Sequence, residues 1–222
     1  MHLHGSAGYP HLLAHDLLPP PVLFSRGDLG LLEGRRVAVV GTRNATAAGR
    51  SAATRLGADL AAAGVHVVSG LARGIDGATH RGVLAACGEG RPIGVVACGL
   101  DVVYPREHHR LWNDVATTGL LLSEYPPGAA PLPYRFPQRN RIVAAVAGKM
   151  FIHGSESVAA ILAQVTRIVV TLGRIGLNEF LPLMKISQVH GQDFRLQAHG
   201  LYFTLFPLYH PAAAMHNGKM RP

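Results

Sequence analysis

Gly41-Thr42-Arg43 follows the apolar run Val37-Ala38-Val39-Val40 and opens a helix-forming stretch. Backbone N–H groups, the positive end of a helix and a guanidinium therefore converge on one spot, which suits an anion. It also suits a plain strand-to-helix turn in which Arg43 is salt-bridged to a neighbour. Ser69-Gly70-Leu71-Ala72-Arg73-Gly74-Ile75-Asp76 repeats the arrangement, with two glycines that allow close backbone approach, an arginine and a helix start. Two such loops suggest a ligand with more than one phosphate, unless Asp76 only caps its helix and pairs with Arg73. A dinucleotide is disfavoured: the glycines are not spaced GxGxxG, and Val68-Ser69-Gly70 stands where an acidic residue would meet the ribose. The third loop holds Gly99-Leu100-Asp101 and Tyr104-Pro105, where Tyr104 either packs or touches a ligand.

The fourth segment, Arg135-Phe136-Pro137-Gln138-Arg139-Asn140-Arg141 with Tyr134 before it, interleaves aromatics and cations. Single-stranded nucleic acid asks for this mixture, guanidinium for phosphate and rings for bases, with stacking worth about 1–3 kcal/mol per base. The same residues also read as a helix start with solvated arginines. No nucleophile and base come together: Ser123 and Glu124 are strand neighbours pointing to opposite faces, and no histidine has a place beside Ser123. Thirteen histidines are scattered, and Cys87 and Cys98 form no CxxC pair, so no metal site, cofactor or disulfide framework is expected.

These loops need strands and helices to hold them. After a proline-broken lead-in over 1–34, in which Val22 to Phe24 reads as a short strand, the chain alternates. Strands are expected at 36–41, 65–69, 93–98 and 120–123, and helices at 46–63, 75–87 and 107–117. Near-continuous Val/Ile/Leu runs belong to strands covered on both faces, so the expected fold is α/β, a Rossmann-like parallel sheet flanked by helices. Ligands on such sheets bind beyond the carboxyl ends of the strands, where all four loops meet. The alternation fades near Gly148. The chain is therefore divided into the lead-in, an α/β domain at 35–148 that ends as an incomplete sheet, and a small α/β segment at 149–222.

Composition agrees. With 222 residues, 48% of them hydrophobic, the chain supports a sizeable core, which excludes wholesale disorder. Lys+Arg 21 against Asp+Glu 13 leaves a net charge of +8 at only 15% charged residues, favouring a polyanionic partner. No apolar stretch is long enough to span a membrane and the start lacks a signal-peptide pattern, so a cytoplasmic protein is expected.

Tyr9-Pro10, Pro20 to Phe24, Arg26 to Leu29, Val39 to Arg43, Ser69 to Asp76, Gly99 to Asp101, Tyr104-Pro105, Ser123 to Pro126 and Phe136 to Arg141, taken in order, closely resemble the DNA-processing protein A family, DprA or Smf. The resemblance covers about residues 9–147. It implies a non-enzymatic protein with an extended Rossmann-like fold that binds single-stranded DNA without sequence preference and loads the RecA recombinase onto incoming DNA in natural transformation. Carried onto matching positions, the DNA pocket would use Arg43, Phe136 and Arg139. Around them lie Gly41, Thr42, Gly70, Gly74 and Asn140, with Arg73, Arg135 and Arg141 adding positive field. The family's self-association surface lies in the part that follows, so a homodimer is open.

Past Ala145 this likeness stops. Thr171 to Arg174, Val189 to Gly191 and Phe206 to Ala214 are similar to the carboxy-terminal part of family 4 uracil-DNA glycosylases, which implies a base-pocket role for His210. That family's Gly-Glu-x-Pro-Gly loop is missing, and two cysteines cannot hold an iron–sulfur cluster. A glycosylase-type repair fragment and a non-functional fused gene fragment are the competing readings.

Overall fold

The computed structural model describes residues 1–147 except 17, the stretches 149–153, 168–172, 194–198 and 201–208, and the single residues 185, 188 and 192. The lead-in contributes β1 (His2–Leu3), α1 (His11–Ala14), β2 (Val22–Gly27) and a 3-10 turn at Leu29–Leu32. The alternation follows as β3 (Arg36–Gly41), α2 (Ala47–Ala62), β4 (His66–Ser69), α3 (Ile75–Ala85), β5 (Pro92–Val95), α4 (His109–Thr118), β6 (Leu120–Ser123) and α5 (Arg135–Val146). Beyond it come β7 (Lys149–His153), β8 (Ile168–Leu172), β9 (Phe194–Ala198) and β10 (Leu201–Leu208).

The strands form one sheet in the order β1-β2-β6-β5-β4-β3-β7-β8-β10-β9. From β6 to β8 neighbouring strands are parallel, the α/β Rossmann-like arrangement expected. At the outer side β2 runs antiparallel to β6, with Phe24 opposite Ser123. The lead-in thus covers an edge that would otherwise present unpaired backbone groups. Tyr9 anchors it, donating its hydroxyl to the Pro20 carbonyl at 2.7 Å.

The sheet does not end at β6. From there α5 returns the chain to the far side of β3, where β7 pairs in parallel with Gly41 opposite His153. Lys149-Met150-Phe151-Ile152-His153 holds a single β-branched residue between polar ends, too weak a pattern to announce a strand. This reversal of strand order puts the topological switch point, where such sheets bind ligands, between β3 and β7.

Register sorts the core. Val37, Val39 and Val67 share the face covered by α2 and α3, through Ala53, Ala61, Ile75, Ala78 and Val83. Leu121 points the same way and meets Leu111, Trp112 and Val115 of α4. Ala38, Val40, Val68, Ile93, Val95, Leu120 and Leu122 face the other side, under Leu13 of α1 and Ile142, Val143 and Val146 of α5. Val37 to Val40 are all buried, which is why β3 reads as an unbroken apolar run.

Candidate functional site

The two glycine loops at the carboxyl edge hold an anion, and it is the protein's own. Gly41 N–H donates to Asp76 Oδ1 at 3.2 Å and Gly70 N–H to Asp76 Oδ2 at 3.1 Å, with Asp76 buried at the start of α3. Burial holds the Asp76 carboxyl above the ordinary carboxylate range, and the Arg139 charge and these two N–H groups offset only part of that rise. Arg139 is only 4% exposed and donates through Nη1 to the Val95 carbonyl at the end of β5. A Cβ on residue 70 would lie 2.3 Å from Arg139 Nη1, so Gly70 is what lets the guanidinium lie against the loop. Gly74 has φ +75°, and a Cβ there would come 2.1 Å from the Thr42 carbonyl oxygen, to which Ile75 N–H donates at 3.2 Å. The Arg43 loop and the start of α3 are thereby fixed to each other.

Arg73 does not pair with Asp76. It forms an exposed ion pair with Glu107, whose carboxyl this hydrogen bond lowers to about 2. Arg141 is paired with Glu124, both mostly buried. Asn140 is partly buried on α5. Arg135 sits over the Tyr125 ring, 4.4 Å from its centroid, and donates to the Ala130 carbonyl at 2.7 Å. The segment Phe136 to Arg141 is therefore the first turns of a helix; Pro137 falls in the first turn, where its missing N–H has no intrahelical partner to lose.

Three side chains from three strand-end segments meet at the surface. The exposed Arg43 guanidinium lies 4.8 Å from the Phe136 ring centroid, and Phe136 packs against Tyr104 at 5.3 Å and 44°. Tyr104 is 40% exposed, so it packs and faces solvent at once. A guanidinium beside two partly exposed rings offers charge for a phosphate and faces for a base. The signal for Tyr104 in the sequence was a Tyr-Pro pair just after a strand-end Gly-Leu-Asp.

The hydroxyls nearby are engaged. Ser69 donates to the Val39 carbonyl and Ser123 to the Cys98 carbonyl, both at 2.7 Å. Cys98 donates to the Val102 carbonyl, and burial pushes its thiol up to about 11. Asp101 accepts from Gly128 N–H, tying the third loop to the stretch after β6. Among the described residues no three His, Cys, Asp or Glu side chains group to hold a metal. His210 lies outside the described residues.

The family model described as DNA recombination-mediator protein A matches residues 1–167, a stretch that takes in β7. The chain belongs to this family. The DNA processing protein DprA of Bacillus subtilis is 41% identical over 159 residues, which are 71% of this chain and 53% of that protein. This chain thus spans about half the length of that relative. Among solved structures, DNA processing protein A of Streptococcus pneumoniae matches with TM-score 0.70 and 33% identity, over 80% of this chain and 65% of that one. DNA processing protein A of Helicobacter pylori, solved for its single-stranded DNA binding mode, matches with TM-score 0.69 and 28% identity, over 78% of this chain and 84% of that one. The family model's match ends at residue 167.

Proposed function

We propose that this protein binds single-stranded DNA without sequence preference at the carboxyl edge of its sheet, with Arg43 on the phosphates and Phe136 and Tyr104 against the bases. The observation that carries the reading is the Arg43–Phe136–Tyr104 cluster, open to solvent beside the β3–β7 switch point. Gly41, Thr42, Gly70 and Gly74 build the loop that presents Arg43, and Arg139 braces it from within. Family membership and the Helicobacter pylori relative's single-stranded DNA binding support the same ligand. The action proposed is binding rather than catalysis, in keeping with serine hydroxyls given to backbone carbonyls and a thiol held protonated. A role in recombination and DNA uptake, delivery of strands to RecA, and self-association follow from the family and belong to this proposal. So does a cytoplasmic location, which the free thiols of Cys87 and Cys98 suit. Among the described residues no helix is long and apolar enough to cross a membrane.

The test is fluorescence anisotropy of labelled oligo-dT at several salt concentrations, with Arg43→Ala alongside. Binding should weaken as salt rises, with a slope of about −0.7 per phosphate neutralised, and the substitution should flatten that slope. A folded, cooperatively melting wild type that does not bind would overturn the proposal.

A further inference from the structure

The stretch joining β6 to α5 carries a second set of rings and charge that the cluster above does not use. Tyr134, the residue just before α5, is 57% exposed. The Arg135 guanidinium stands 5.8 Å from the Tyr134 ring centroid and 4.4 Å from that of Tyr125. Its Nη1 is held by the Ala130 carbonyl at 2.7 Å, a neutral acceptor that fixes the cation without cancelling its charge. Tyr125 is steadied in turn, its hydroxyl donating to Gln138 Oε1 at 3.3 Å. The set is a built surface: a positioned cation flanked by a fixed ring and a solvent-facing one.

Its place relative to the first cluster follows from the chain. Phe136 leans toward Arg43 and Tyr104, Arg135 precedes it as the first residue of α5, and Tyr134, the capping residue, has the Arg135 guanidinium beside its ring. A strand that stacks one base on Phe136 and crosses this helix end therefore meets a cation and then a second exposed ring. Positive charge and continuity with the first cluster favour a polyanion with flat bases over a protein partner.

We propose that Tyr134 and Arg135 form a second nucleobase subsite, which takes a further base of the same single strand: Tyr134 stacks on the base and Arg135 supplies charge between the two bases. This rests on the single-stranded DNA reading above. It extends the site toward the loop after β6 and makes affinity depend on strand length.

The experiment compares labelled oligo-dT of about 4 and about 15 nucleotides, near the two ends of the roughly 4–16 nucleotides that a single-strand-binding OB fold covers, on the full chain. Tyr134→Ala should leave the short strand's affinity unchanged and weaken the long strand's roughly 5-fold or more, whereas Tyr134→Trp should keep both. Arg43→Ala should weaken both lengths. If Tyr134→Ala binds the long strand as tightly as wild type, or loses both lengths equally, the second subsite is overturned and the first stands. A wild type that binds neither length takes down the DNA reading and this extension together.

Discussion

Arg139→Met separates a brace from a DNA contact. Arg139 is 4% exposed, donates to the Val95 carbonyl and acts through its charge on the Asp76 carboxyl, which is itself buried and held by Gly41 and Gly70. Methionine fills much of the volume but leaves Asp76 as an uncompensated buried charge and Val95 without its donor. Removing one member of a buried pair costs about 3–5 kcal/mol. At ~2–4 °C per kcal/mol for a chain of this size, the melting temperature should fall by about 6–20 °C. Thermal and urea unfolding followed by circular dichroism measure this directly. Pairing the substitution with Asp76→Leu should recover part of the loss, because the stranded charge goes too and residues in one network are not additive. A variant that melts within about 2 °C of wild type, as an ordinary surface substitution would, yet has lost oligonucleotide affinity, would refute the brace and return Arg139 to the DNA surface.

Burial lowers the fully buried His80 imidazole to about 3. The unfolded chain then takes up a proton near 6.5 that the folded chain refuses, so stability is complete above that value and falls with pH by about 1.4 kcal/mol per unit. A drop of roughly 2 kcal/mol between about pH 7 and about pH 5 is expected from urea midpoints. His108, also lowered by burial, acts in the same direction, and His80→Leu should flatten the profile. Equal wild-type stability at both pH values would contradict this. Gly74→Ala should cost about 1–3 kcal/mol and weaken oligonucleotide binding, because a Cβ at φ +75° meets the Thr42 carbonyl oxygen at 2.1 Å and displaces the Arg43 loop. Gly64→Ala is its control: φ +68° with no atom nearer than 3.5 Å should cost about 1 kcal/mol and leave affinity unchanged, and equal binding losses in both would sink the link to the loop.

The α/β alternation was legible because each element from β3 to β6 carries its own signal. Strands buried on both faces read as apolar runs, and Thr46 caps α2 by accepting from Gly49 N–H. β7 was not, since its five residues carry no period and gain their place by pairing with β3 on one side and β8 on the other. Of the site, Arg43 and Phe136 were readable as residue types that belong together, and the structure joins them. What was hidden is who occupies the glycine loops. Asp76 could be read as a cap, but that one carboxylate takes N–H groups from two loops, and that a distant arginine's charge acts on it, depends on groups 35 and 63 positions apart in sequence. Tyr104 is ambiguous in the sequence for the same reason, because its ring becomes part of a site only through Phe136 arriving from another segment.

The occupied loops change what binding should look like. Had Gly41 and Gly70 presented free amides beside Arg43, Arg73, Arg139 and Arg141, several phosphates would have been gripped and the salt slope would be steep. Instead Asp76 takes both amides, Glu107 pairs with Arg73, Glu124 pairs with Arg141, and Arg139 is buried. Among the described residues, Arg43 lies over the Phe136 ring and Arg135 beside the Tyr125 and Tyr134 rings, and these two guanidiniums are the ones placed to meet a phosphate next to a stacked base. Two neutralised phosphates give a slope of only about −1.4, so much of the affinity at high salt has to come from stacking, at about 1–3 kcal/mol per base. Substituting Phe136 should then lower affinity by a similar factor at all salt concentrations, while Arg43→Ala should matter most at low salt. A slope steeper than about −3 would mean that more than four phosphates are neutralised, and that the ion pairs of Arg73 and Arg141 open when DNA arrives.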